Sequence, residues 1–576
     1  MIDFGTNLPS CVHLNVSGNN NITFVDVNIK EEIKEKLKIK WKIPFDSAFL
    51  EWQPNKYNVN GIVPQWDKNN ANQASIVKNA PVYTVLEQNG TNIMTIALSE
   101  LKKHTAIMCG IREEDAHIYC EADIEKAGLS KGYSFVIRID FRKIPYYESL
   151  REVEKWWRGY VVPAIVPAST KDSMYSTWYS FHQDLSAEEL IEQCKKAKAL
   201  GLNCIILDDG WQTENTNRGY AYCGDWKLAT SKIDDMRSLT ETVHSLGMKI
   251  MLWFAVPFVG EYSEAYHKYK GKFIRKGNGG YYCLDPRFSD VREYIVANFC
   301  RAVKEWKLDG VKLDFIDWYY IKDYQTAEGG DYENLEEALD DLLMQISKRL
   351  RAINPDVMIE FRQYYMGPQV RSVANIIRVA DCPCNALFNR VHSINLRLLC
   401  GDTAVHSDMI MWDKETKVEC AAKQLINALF CVPQISMRIE ALNNSHYHML
   451  KFYMQLWTEN KELLLSDKIT PVHPECGYSK VFVCDESTGR SITVCYSETI
   501  VKTFSVEKQI IVNGTSDSSL ILDGDITEYG FDVFNCCGEL IDSSKSDNAC
   551  GIAKIEVPQS GVLILNKINR GLYDEL

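Results

Sequence analysis

The chain has 576 residues, 46% of them hydrophobic and 11% aromatic, which points to roughly two to four domains with full cores. Its 64 basic and 77 acidic residues leave a formal charge of −13, arguing against a nucleic-acid partner and offering an anionic membrane no basic patch. No apolar run reaches the roughly 20 residues of a membrane span, so no membrane partner is expected.

The start, MIDFGTNLPS, lacks a basic stretch followed by an apolar one, so no signal peptide is expected. Nineteen cysteines sit at irregular positions, which fits reduced thiols and a cytoplasmic protein. Cys382-Pro-Cys384 and Cys536-Cys537 lack partners at zinc-binding spacing, and neither a metal nor an organic cofactor is expected.

Residues 1–145 read as an N-terminal β-sandwich: short alternating runs such as ITFVDVNI, VYTVLEQ and YSFVIRIDF are divided by turn signals. Residues 146–160, YYESLREVEKWWRGY, read as a linking helix that opens a unit running to 465. There apolar runs of four to six residues alternate with helical patterns, the signature of βα units. Eight strands are predicted: 174–178, 204–209, 250–255, 310–315, 357–362, 376–381, 403–408 and 432–437. The first of the intervening helices starts at Ser186 with Glu189 three residues on, a capping box, and stops at Gly201. No glycine-rich phosphate loop follows any strand, which disfavours an open dinucleotide-binding sheet. The fold class expected is therefore α/β, a (β/α)8 TIM barrel. Residues 466–576 return to short alternating strands and read as a C-terminal β-domain.

A barrel of this type works at the C-terminal ends of its strands. Here those ends carry Trp178, Asp208, Asp209, Trp253, Lys312, Asp314, Arg362, Asp381, His406 and Asp408. Any one alone reads as an ordinary polar strand end; their recurrence at one topological position is the signal. In GVKLDF, Val311 and Leu313 share one face and Lys312 and Asp314 the other, so the charged pair is expected inside the barrel, the lysine keeping the carboxylate ionised. A structural ion pair would account for these two residues, but not for the ring of carboxylates on other strands. Asp309 and Asp317 are weaker candidates, lying before and after the strand. Two carboxylates across an aromatic pocket suit glycoside hydrolysis, one attacking the anomeric carbon and the other protonating the leaving oxygen.

The runs LNCIILDDGWQ, KIMLWFAVPFVGEYS and GVKLDFIDWYY resemble the second, third and fourth barrel strands of the α-galactosidases of glycoside hydrolase family 36, and STWYSFHQDLSAEELIEQCKKAKALG resembles their first βα unit. The likeness covers roughly residues 160–465. It implies a retaining α-galactosidase with Asp314 as nucleophile and Asp381 as general acid/base, Asp408 being the rival for the latter role. It also implies that Asp208 and Asp209 hold the 4- and 6-hydroxyls, that Lys312 bonds ring hydroxyls, and that Trp178 and Trp253 wall the pocket. His406 and Asp408 resemble the family's strand-seven segment. The glycine-rich loop usual after strand five is here EFRQYYMGPQV, so Arg362 or Gln363 has to serve the 2-position. That leaves α-N-acetylgalactosaminidase and β-L-arabinopyranosidase as alternatives. A galactosyl transglycosylase, an inert sugar-binding protein and a Schiff-base aldolase on Lys312 are further readings. The expected partner is an oligosaccharide or other glycoside, with a homo-oligomer possible; the Trp-containing loop at 51–70 is read as an ordinary polar loop or a sugar or subunit contact.

Overall fold

The computed structural model describes residues 8–568 except 20, 58–59, 125–128, 322–325 and 546–550. The first seven residues of the N-terminal stretch read above, and two residues of the 51–70 loop, lie outside the described residues.

The N-terminal region forms a seven-stranded and a four-stranded sheet. Their sequences alternate as a half-buried strand must: along Leu37–Pro44 the odd-numbered residues Leu37, Ile39, Trp41 and Ile43 are buried and the lysines between them exposed. These side chains pack with Val25, Val27, Ile96, Ile107 and Ile137 in one core. The helix Tyr146–Trp157 then buries Leu150, Val153 and Trp157, and the Trp157 indole donates to the carbonyl of Leu98 at 2.8 Å.

Eight parallel strands close a barrel: β1 (Met174–Ser176), β2 (Cys204–Leu207), β3 (Lys249–Ala255), β4 (Gly310–Asp314), β5 (Met358–Arg362), β6 (Ile376–Arg378), β7 (Ala404–Ile410) and β8 (Val432–Ile435). Pairing of β1 with β8 closes the circle. The helix after β1 runs Ala187–Ala199; Ser186 accepts from the Glu189 amide at its start, and Gly201 sits at φ +85° just past its end. After β3 the chain leaves the barrel for a three-stranded sheet (258–260, 281–284 and 273–276), an excursion the sequence pattern did not reveal. From Thr470 to Lys567 the chain forms a seven-stranded and a three-stranded sheet.

Three strand ends differ from expectation. β1 stops at Ser176, because the Thr177 hydroxyl takes the amide of Asp208, and Trp178 opens a one-turn helix instead of ending a strand. β6 stops at Arg378, so Asp381 stands three residues out in the DCPCN turn, where Pro383 offers no ladder donor. β7 continues to Ile410 through a register shift between His406 and Met409, so His406 and Asp408 lie inside the strand. Among the described residues no helix is long and apolar enough to cross a membrane, and the 18 described cysteines are free thiols.

Candidate active site

The barrel interior is layered. Met251, Met358, Ile376 and Ala404 belong to an apolar plug at its floor. Gly310 has no room for a side chain there: a Cβ would meet the Met358 carbonyl oxygen at 2.5 Å. Two residues on, alternation brings the next inward positions up as Lys312, Glu360, Arg378 and His406, with Lys312 opposite Glu360 and Arg378 opposite His406 in the strand register. All four are buried.

Lys312 donates to Asp208 Oδ2 at 2.6 Å, not to Asp314. The expected pairing along one strand is thus corrected: the ammonium reaches across to the end of β2. Burial works most strongly against the Lys312 charge, but Asp208, Glu360 and Asp314 together outweigh it and raise the lysine's pKa. Asp208 is therefore held by a cation, and its Oδ1 also accepts the Asp209 amide at 3.0 Å. Asp209 accepts from Gln212 at 2.6 Å and from Gln183 at 2.8 Å, one amide on each oxygen. Burial pushes its pKa up to about 6 against those two bonds.

Asp314 closes β4. Its Oδ1 accepts three donors: Arg362 Nε at 2.6 Å, the Phe315 amide at 2.8 Å and the Tyr365 hydroxyl at 3.1 Å. Its Oδ2 accepts the Trp253 indole at 3.1 Å. Burial would raise this carboxyl, but Arg362, Lys312 and Arg378 together hold it well below the ordinary range, so it is ionised. Lys312 thus acts on Asp314 through space, and Arg362 is the direct partner.

Arg378 organises the other side. It donates to Asp408 Oδ1 and, at 2.9 Å, to Asp381 Oδ1, and its Nε lies 3.5 Å from Glu360. The two aspartates differ in access. The Asp381 side chain is 54% exposed at the barrel mouth, whereas Asp408 is fully buried. Asp408 Oδ2 accepts the Tyr179 hydroxyl at 3.0 Å and the Cys382 amide at 2.6 Å. With both oxygens occupied, Asp408 supports the wall and does not face the pocket. His406 is likewise remote: it bonds the Thr170 carbonyl at 2.7 Å and Gln434 at 3.1 Å, and burial pushes its pKa down to about 4. An acid/base in the first step of hydrolysis needs a raised pKa; in the free site burial, the largest influence, raises Asp381, but Arg378, Lys312 and Arg362 together outweigh it and lower it.

Trp253 is buried, with Tyr220 stacked 6.3 Å away and Phe315 edge-on at 6.4 Å. Trp178 stands on the rim beside His182 and beneath Arg218. Gln363, offered with Arg362 for the 2-position, is turned away instead: it is buried against Asn55 and His392 at 2.9 and 2.8 Å.

Glu360, Arg378, Tyr365, Gln183 and Gln212 escaped the sequence reading. For Glu360 a signal existed, since the alternation that groups Lys312 with Asp314 groups Glu360 with Arg362. Nothing local marks the two glutamines.

A family model described as Melibiase matches residues 149–361. The α-galactosidase Mel36A of Lactobacillus acidophilus is 24% identical over 233 residues, covering 37% of this chain and 30% of that protein. The "A type blood alpha-D-galactosamine galactosaminidase" of Flavonifractor plautii is 26% identical over 206 residues, covering 32% of this chain and 18% of that protein. The matched stretch is thus less than a third of either relative's length. In fold, the chain resembles the GH36 α-galactosidase AgaA of Geobacillus stearothermophilus, solved with raffinose, at a TM-score of 0.68 and 12% identity, covering 97% of this chain and 81% of that one. The family model, the relatives and the barrel with its flanking sheets point the same way: over residues 149–361 the chain is similar to the melibiases, and its fold is that of the α-galactosidases of glycoside hydrolase family 36.

Proposed function

We propose that this protein is a retaining, exo-acting α-galactosidase. The observation that carries the reading is the asymmetry of two aspartates at one barrel mouth. Asp314 is buried and held ionised; Asp381 is exposed, placed to meet a leaving group. Asp314 attacks the anomeric carbon as Asp381 gives its proton to the departing oxygen. Water, deprotonated by Asp381, then releases the sugar with its configuration retained. Asp208 and Asp209 are proposed to receive the 4- and 6-hydroxyls, and Lys312 to bond a ring hydroxyl while fixing Asp208. Trp253 and Trp178 would wall the sugar, and Arg362 faces it beside the nucleophile. His406 and Asp408 act behind the wall. The double displacement uses only these side chains.

A second reading, α-N-acetylgalactosaminidase, is favoured by one observation: a guanidinium stands at the end of β5, where a substituent on the 2-carbon would lie. The free thiols fit a reducing compartment, which supports a cytoplasmic setting.

The test is release of nitrophenol from the α-galactoside, α-N-acetylgalactosaminide, β-L-arabinopyranoside and α-glucoside, with the anomer of the first sugar product followed by NMR. The α-galactoside is expected to be cleaved fastest, giving α-galactose first. Preference for the N-acetylated substrate would move the assignment to the second reading, and an inverted product would remove Asp314 as nucleophile.

A further inference from the structure

The carboxylate Asp317 has no part in the mechanism above, yet it points at it. Phe315 takes the left-handed conformation (φ 66°), uncommon for a bulky side chain, and turns the chain into the short helix Ile316–Trp318. That turn brings Asp317 back over the strand end, where its Oδ1 lies 3.8 Å from Arg362 Nη2. This oxygen is buried and accepts no hydrogen bond. Arg362 meanwhile spends its Nε on Asp314 Oδ1 at 2.6 Å and its Nη1 on the Gln363 carbonyl at 3.0 Å. One guanidinium thus stands between two carboxylates, bonded to the first and facing the second.

The chemistry changes the first and leaves the second alone. Asp314 Oδ1 already holds three donors, so Oδ2, with one, is the atom free to attack. As the bond from Oδ2 to the anomeric carbon forms, the bond to the leaving oxygen breaks and its electron pair goes to that oxygen, which takes the Asp381 proton. Asp314 has then become a neutral ester, and its Oδ1 a carbonyl oxygen. Arg362, its side chain only 14% exposed, has lost the anion that balanced it, and an unpaired cation largely shielded from water is costly.

We infer that Asp317 is a positioning residue that balances Arg362 while Asp314 carries the sugar. The inference rests on the glycosidase reading. A small turn of the guanidinium closes the 3.8 Å gap to a charge-assisted hydrogen bond of about 2.8 Å. The same exchange loosens Arg362 from Oδ1 in the transition state, when the charge is leaving. When water cleaves the ester, Arg362 returns to Asp314.

The test is a double-mutant cycle read by kinetics and by trapping. Wild type, Asp317→Asn, Arg362→Met and the double variant are assayed on aryl glycosides of graded leaving-group ability. Each is also treated with a fluorinated glycosyl fluoride that arrests the ester on the enzyme. Asp317→Asn is expected to lower kcat by roughly 5- to 50-fold and to slow trapping similarly, with KM within about twofold. The loss should be largest for poor leaving groups. In the Arg362→Met background the same change is expected to cost less than about twofold. Should Arg362→Met not fold, Arg362→Lys serves as the second background, where the penalty should persist because the charge does. Trapping at Asp314 in the wild type, with an equal Asp317→Asn loss in the presence and absence of the Arg362 charge, overturns the inference and leaves the glycosidase standing. No trapping at Asp314 at all overturns both.

Discussion

Arg378 carries more of this site than any residue that touches sugar in the proposed mechanism. It is buried and shares one guanidinium among Asp381, Asp408 and Glu360. With Lys312 and Arg362 it outweighs burial and keeps the Asp381 carboxyl below its ordinary range, although the mechanism needs it protonated when substrate is bound. Two consequences follow. Activity should lie on the acid side, and any change that gives Arg378 more fully to Asp381 should push it further there. Asp408→Asn is such a change: it removes a competing anion from Arg378 and an anion that disfavours ionised Asp381. Asparagine keeps an oxygen for the Tyr179 hydroxyl and the Cys382 amide, so the wall survives. The alkaline limb of kcat/KM, which reports loss of the Asp381 proton, is expected to move to lower pH. A shift to higher pH, or none, would show that Arg378 does not set Asp381. Sequence reading picked out Asp381 and Asp408 but not their shared partner. A lone arginine in the apolar run IIRVAD gives no sign of its neighbours until the barrel closes and β6 lies against β5 and β7.

At the scale of elements, the barrel strands were legible because each is buried on both faces and reads as an apolar run between helical patterns. What they deliver was less legible. Lys312 was placed correctly on the inward face, but its partner Asp208 is 104 residues away on another strand. The three-stranded excursion after β3 went unread, since its runs FVG, FIRK and YYCL are too short to separate from loop. Yet this excursion bears on the pocket. Its strand 258–260 is joined by the 221–223 segment: Gly260 N donates to the Cys223 carbonyl at 2.8 Å and Tyr262 N to that of Ala221 at 3.1 Å. The approach is so close that a Cβ on Gly260 would stand 2.0 Å from the Ala221 carbonyl. Gly260→Ala must therefore push the segment away, and with it Tyr220, whose ring packs on Trp253, Phe258 and Phe315. Displacing a pocket wall by about 1 Å can cost on the order of a hundredfold in rate. The expected outcome is a fall in kcat/KM of that order, with the circular dichroism of the barrel kept. Unchanged kinetics would mean that Tyr220 takes no part in shaping the pocket.

The whole molecule is more continuous than its division into sheets and barrel implies. One hydrophobic core runs from Leu50 and Val82 in the N-terminal sheet through the barrel to Val494 and Val512 beyond it. A polar joint pins the same three regions. The Trp52 indole, from the N-terminal sheet, donates to the Tyr478 hydroxyl at 3.2 Å, and that hydroxyl donates to Asn395 on the barrel helix Ala386–Leu399. Asn395 in turn donates to the Pro54 carbonyl at 3.1 Å. Trp52 and Tyr478 are 426 residues apart, so nothing in their local sequence announces the contact. The flanking sheets showed in the period-two pattern, while the joints between them depend on the finished packing. Tyr478→Phe keeps the ring and deletes only the hydroxyl, leaving the Trp52 N–H without an acceptor and the Asn395 oxygen without a donor. Each orphaned buried group costs about 1–3 kcal/mol, so the protein is expected to lose roughly 2–6 kcal/mol. Because core and joint tie the three regions together, that loss should lower the midpoint of one calorimetric transition. If the sheets were merely appended to the barrel, the wild type would melt in separate steps, and Tyr478→Phe would move only one of them.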